Sequence, residues 1–219
     1  MKPRLRFRPE AGLTLFEVGV IIAILGILAA VILPSLQPAT DRDGEIIHCK
    51  NNLKQIGLSY RIWSGDNGDF YPMGISVTNG GSMEMVATGN VVQTFMVMSN
   101  ELSTPEVLWC PADAAHVCAS SFGGLSNSNL SYFVAASVTN DNNPQAILSG
   151  DCNLEINGKT VSAGLLSLST NDPVAWSGAR HVRRGNLLFA DGGALSCTPA
   201  GLQAILVATG LATNRLAIP

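Results

Sequence analysis

The chain is predicted to adopt an α+β fold in which a long N-terminal helix packs on a small antiparallel sheet. Three observations predict it. Val18 to Leu33 is an unbroken apolar run, and Ile46, Cys49, Leu53, Ile56, Tyr60 and Trp63 then recur at alternating spacings of three and four, the signature of one helix face. Beyond Trp63, short β-rich segments alternate with Asn, Asp, Gly and Pro turns.

The apolar run comes first. The 21 residues from Leu13 to Leu33 carry one charge, Glu17. At about 1.5 Å per residue they make a helix of about 30 Å, the thickness of a bilayer's hydrocarbon core. A carboxylate costs about 2.5 to 3.5 kcal/mol at the centre of such a helix and less near its end, so Glu17 asks for a reason. One reason is local: Thr14-x-x-Glu17 has capping-box spacing, and an anion suits a helix N-terminus.

Lys2, Arg4, Arg6 and Arg8 precede the run, whereas Asp41, Asp43 and Glu45 follow it. The positive-inside rule therefore places the N-terminus in the cytoplasm and the rest outside, in a single-span orientation at the inner (cytoplasmic) membrane. Ala29-Ala30 is followed by more apolar residues, which argues against ordinary signal-peptide cleavage.

The helix is predicted to continue past the run as an amphipathic half, with Lys50, Asn51, Asn52, Lys54 and Gln55 away from the apolar stripe. Pro34 and Pro38 each remove a backbone donor and should bend the chain between the halves. Ser64 to Asp69 reads as a loop, and Val91 to Leu102 as a helix burying Val91, Phe95, Met98 and Leu102. Strands are predicted at Val107-Leu108-Trp109, Tyr132 to Ala136 and Ala146 to Ser149. Asn186 to Ala190 and Ala194 to Cys197 form a hairpin turned by Asp191-Gly192-Gly193, and Thr198-Pro199 starts a helix ending near Gly210.

Gly12-Leu13-Thr14-Leu15-Phe16-Glu17 resembles the leader junction of type IV pilins and type II secretion pseudopilins, and Pro34 falls in register with a helix-bending proline of that family. Leu13 stands where Phe is commonest. The resemblance implies a pilin-like fold in four parts: a leader over 1–12, a transmembrane and assembly helix over 13–36, its amphipathic continuation over 37–63 and an exported α+β domain over 64–219. It implies a cut after Gly12 by a prepilin peptidase that also methylates Leu13, and a filament in which Glu17 pairs with a free N-terminal amine. Partners are then other pilin-like subunits, platform proteins and the membrane.

Further motifs extend the resemblance. His181, nine residues and Asp191-Gly192 are similar to the H-x9-DG element of pilin-like proteins from planctomycetes and verrucomicrobia, as are Cys49 to Leu58, Trp109 to Asp113 and Gly150 to Asn153. Losing the leader removes four basic residues and one acidic, taking the formal charge from −3 to −6, which does not support nucleic-acid binding.

A membrane-tethered domain that binds a ligand or sugar without polymerising is the alternative. An exported enzyme would need a concave site joining His181 to Asp151 or Asp191, with Cys152 as a further candidate, but nothing in their spacing gathers these residues. No cofactor is expected except, by resemblance, calcium. Asp66, Asn67 and Asp69, or Asn171 and Asp172, offer oxygen ligands without matching a twelve-residue EF-hand loop. Of the five cysteines, Cys110 with Cys118 and Cys152 with Cys197 are the pairs expected, with Cys49 a buried thiol.

Overall fold

The computed structural model describes residues 14–35 and 41–219, with the side chains of 31–35 and 41–43 left aside. The chain divides into two compact units, Met1–Ala39 and Thr40–Pro219. Gly12, Leu13, Pro38 and the leader lie outside the described residues.

In the first unit, helix α1 runs from Leu15 to Ser35 and contains Pro34. It opens with the capping box that the spacing predicts. Glu17 Oε2 accepts from the Thr14 amide at 2.8 Å and its hydroxyl at 2.9 Å, while the Glu17 amide donates to Thr14 Oγ1 at 3.3 Å. Every described side chain from Thr14 to Ala30 is exposed. Among the described residues no helix is long and apolar enough to cross a membrane.

The second unit is α+β. Helix α2 (Asp41–Asp66) buries all six residues of the predicted stripe. Each such burial removes apolar surface worth roughly 1.5 to 3 kcal/mol. Asn52, expected on an outer side, is buried as well: its Nδ2 donates to the Trp109 carbonyl at 2.9 Å, which satisfies it inside. The helix also carries on to Asp66 instead of ending at Trp63. Asn67 Nδ2 then donates to the Trp63 carbonyl at 2.7 Å, and Gly68 and Asp69 turn the chain at φ of 67° and 65°.

Short helices follow: α3 (Met83–Ala87), α4 (Val92–Val97) and α5 (Ser99–Leu102). The single helix expected over Val91 to Leu102 is thus interrupted at Met98 (ψ 16°), although Val91, Phe95, Met98 and Leu102 are all buried as their spacing requires. The strand expected at Val107 is instead a 3-10 turn, Pro105–Leu108. Thr104 caps it by accepting from the Glu106 amide at 3.4 Å, and Pro105 presets its first φ, so a capping signal outweighed a short apolar run.

Among the described residues, nine strands complete the unit. They are β1 (Tyr132–Ala135), β2 (Ile147–Asp151), β3 (Leu154–Ile156), β4 (Lys159–Thr160), β5 (Gly164–Ser169), β6 (Val174–Trp176), β7 (Gly185–Phe189), β8 (Ala194–Cys197) and β9 (Thr213–Ile218). Helix α6 (Pro199–Ala208) precedes β9, with Thr198 as its cap and Pro199 in its first turn, as predicted. The larger sheet has six antiparallel strands in the order β5-β9-β1-β2-β7-β8, and the smaller has the order β4-β3-β6. Every residue of β1 and β2 is buried, as expected of central strands covered on both faces.

Helix α2 lies on β7 and β8. The approach is close at Gly57, where an added Cβ would come within 2.7 Å of Leu188 Cδ1 and 3.5 Å of the Gly192 backbone. Gly57→Val is therefore expected to push α2 off the sheet and lower stability by about 1 to 3 kcal/mol. A lower denaturation midpoint at unchanged slope checks this.

Candidate functional site

The motif segments Trp109 to Asp113, Gly150 to Asn153 and Arg180-His181 converge below the first turns of α2, around the guanidinium of Arg180. Arg180 is 5% exposed. A buried cation must be paired and fully hydrogen-bonded, and the surrounding residues provide for that. Nη2 lies 2.5 Å from Asp113 Oδ2 and 3.1 Å from Cys152 Sγ, and Nη1 donates to the Ser131 carbonyl at 3.1 Å. Asp113 Oδ2 also accepts from Ser131 Oγ and meets His116 Nδ1, both at 2.7 Å, while its Oδ1 accepts from the Ala115 amide at 3.0 Å. Burial opposes ionisation of Asp113, but the His116 hydrogen bond and the Arg180 charge outweigh it and hold the carboxyl below its usual range.

Beside this knot lies a second buried cluster. Asp151 ends β2, and its Oδ2 accepts from the Asn186 amide at 2.7 Å and Nδ2 at 3.0 Å. His181 Nε2 lies 3.7 Å from the same oxygen and 3.4 Å from Cys110 Sγ. Both side chains are wholly buried. Burial raises Asp151 to about 6, against the pull of Arg180 and Asn186. Burial and the charges of Arg180 and Arg184 lower His181 to about 4, so the imidazole is neutral at pH 7.

Cys110 is bonded to Cys49, which staples α2 to the segment carrying Asp113 and closes a loop with a sequence separation of 61. The expected Cys110–Cys118 and Cys152–Cys197 pairs are absent: Cys118, Cys152 and Cys197 are free thiols. Nearness in sequence misled here. Cys110 faces α2, where Cys49 on the buried stripe points at it, whereas Cys118 is exposed. Cys152 is turned to Arg180, and Cys197 closes the far end of β8.

The H-x9-DG element is split. His181 joins Asp151 and the disulfide, but Asp191 lies at the other end of α2, where its carbonyl accepts from Arg61 Nη1 at 3.0 Å. Cys49 and Arg61 are 12 residues apart on that helix, about 18 Å. Asp191 and Gly192 shape the hairpin: Gly193 N donates to Asp191 Oδ1 at 2.7 Å, Phe189 N donates to the Gly193 carbonyl at 2.9 Å, and Gly192 supplies the positive φ of 83°. His181 does meet Asp151, at 3.7 Å, and both side chains are buried.

Among the described residues, Cys49, Cys110 and His181 form one close group and Asp113, His116 and Cys152 another. The first holds a disulfide, and in the second Arg180 already occupies both the carboxylate and the sulfur. Asp66, Asp69 and Asp172 belong to neither group, and Asp172 Oδ2 accepts from the Ser169 amide at 2.6 Å in a turn. A cleft of about 430 Å³, lined by Asp113, His116, Cys152, Asn153 and Arg180 among others, opens beside the knot.

Sequence reasoning missed Arg180, Ser131, His116 and Asn186. A signal existed for Arg180, an arginine directly before the motif histidine. Isolated Ser and Asn residues carry none. No protein-family model matches this chain, nor does any curated protein or solved structure.

Three outcomes follow. Arg180→Met keeps the stem but leaves Asp113 buried without its cation, and is expected to cost about 3 to 5 kcal/mol in denaturant unfolding. Mass spectrometry without reduction should find the Cys49 and Cys110 peptides joined, and reduction should cost about 4 kcal/mol on loop-closure grounds. The third concerns pH. As pH falls from 6.5 to 4, the depressed His181 pKa makes the folded state bind fewer protons than the unfolded chain and stability drops, while the raised Asp151 pKa does the reverse. The two offset, and the further loss through Asp113 comes only below its ordinary 3.8. Asp151→Asn removes the compensating half, so its stability should decline between pH 6.5 and 4 where that of the wild type stays nearly level.

Proposed function

We propose that this chain is a structural subunit of a pilin-like filament, of the type IV pilus or type II secretion pseudopilus kind, inserted in the inner membrane by α1 with its second unit on the outer side. The observation that carries the reading is α1 itself. From Leu15 to Ala30 its described side chains are apolar apart from Glu17, and every one is exposed in the single chain. A helix that is apolar all round is stable only in lipid or among other helices. In this reading prepilin peptidase cuts after Gly12, Leu13 is methylated, and α1 helices gather into a filament with other subunits on a platform of further proteins.

Glu17 has two successive partners in this scheme. In the single chain Thr14 satisfies its carboxylate. In the filament an N-terminal amine takes over, and the cost of a charge in apolar surroundings becomes a means of setting register between helices. The second unit contributes a rigid exported body whose chemistry is inward-facing.

N-terminal sequencing of the membrane-extracted protein tests processing: a methylated Leu13 is expected, and an intact Met1 would overturn the reading. Glu17→Ala should be cleaved normally and enter filaments poorly, as measured by the sheared fraction from intact cells. Normal incorporation of that variant would remove Glu17 from assembly while leaving the processing result to stand.

A further inference from the structure

Asn153, between β2 and β3, is 5% exposed and only half satisfied. Its Nδ2 donates to the Ser177 carbonyl at 3.4 Å, whereas its Oδ1 is buried with no hydrogen-bond partner. A buried acceptor without a donor costs stability, so its retention calls for a use. Asn153 is also one of the residues that line the cleft of about 430 Å³ beside the Arg180 knot.

That cleft has the build of a small-molecule site, with apolar walls and a few polar groups set among them. Ala114, Ala115, Val161 and Ile218 supply the apolar surface. Its charges are already spent on each other, because Arg180 is paired with Asp113, and an uncharged ligand therefore suits it. The polar groups left over narrow the choice. Asn153 Oδ1 asks for a donor. Ser177 is its neighbour, since the Ser177 amide donates to the Asn153 carbonyl at 2.8 Å. Ser177 Oγ accepts from the Ala179 amide at 3.3 Å and keeps its own proton to give. Thr160 brings a second hydroxyl to the lining. An acceptor beside hydroxyl donors is the complement of a group with one N–H and one C=O.

We propose that this cleft binds an uncharged secondary amide flanked by small apolar groups, as in a peptide bond between small apolar residues. The amide N–H donates to Asn153 Oδ1, its carbonyl accepts from Ser177 or Thr160, and its flanks lie on Val161 and Ile218. An N-acetylated sugar carries the same amide, but it would set its hydroxyls against alanine, valine and isoleucine walls. The site does not depend on whether chains polymerise, because every residue named belongs to the second unit of one chain.

The test uses the full-length protein in an amide-free detergent, with its alanine, valine and isoleucine methyl groups labelled for NMR. N-isopropylacetamide and isopropyl acetate are the probes, a pair that differs only in an N–H replaced by oxygen. The amide should shift the methyl signals of Ala115, Val161 and Ile218 and leave Ile205, which lines a different cleft, where it is. The ester should bind about tenfold more weakly, because it leaves Asn153 Oδ1 unpaired. Asn153→Leu removes that acceptor at nearly constant shape, so the variant should bind the two probes about equally. Equal binding of amide and ester by the wild type overturns the proposal, as does a folded Asn153→Leu that keeps the preference. No shift at the cleft methyls up to the solubility of the amide also overturns it, and Oδ1 is then met by water alone. N-acetylglucosamine binding more tightly than N-isopropylacetamide would overturn the assignment to a peptide bond. The wild-type pair decides the matter alone should the variant not fold.

Discussion

A guanidinium inside a protein leaves few choices, and Arg180 sets most of those made around it. Its charge demands a carboxylate, which Asp113 supplies; that carboxylate demands its own donors, which come from Ser131, His116 and the Ala115 amide. The partners come from separate stretches of chain, Asp113, Ala115 and His116 after the 3-10 turn, Ser131 just before β1 and Cys152 just after β2, so satisfying one charge fixes these and the loop before β7 against one another. The Coulombic gain of such a pair is largely offset by the desolvation of both ions. Its contribution is specificity: any other arrangement of these segments leaves a charge buried alone.

The α2 disulfide rests on that frame. Cys110 is placed by its amide's hydrogen bond to Ser131 Oγ at 3.0 Å, the same hydroxyl that donates to Asp113. The buried stripe of α2 would hold the helix on the sheet without any covalent link. The disulfide turns a packing preference into a fixed attachment, and Gly57 lets the far half of the helix come near enough to β7 to share it.

Local pattern was a good guide for some elements. The α2 stripe, the β7–β8 hairpin and the Thr198-Pro199 helix start were all legible, because each carries its signal in neighbouring residues. Strands β3, β4, β5, β6 and β9 were not, since they are short or pair with distant segments, and β9 meets β5 only through the folded chain. The site was harder still. Its motif residues were visible, but nothing in their spacing said which of them meet, and nearness in sequence suggested that Cys110 pairs with Cys118. In the fold, one motif serves two ends of α2, and the disulfide crosses 61 positions. Long-range pairing is a property of topology, and local composition does not encode it.

The sheet order holds one more consequence. Strand β9 follows both β1 and β5 in the chain, yet it lies between them, inside the larger sheet. A chain delivered from its N-terminus presents α2 and β1 early and then waits, with β1 and β5 each showing an open hydrogen-bonding edge, until residues 213–218 arrive to join them. Open edges invite pairing with other chains. Residues 213–218 thus close two edges at once, and a chain lacking them would leave both open to pairing.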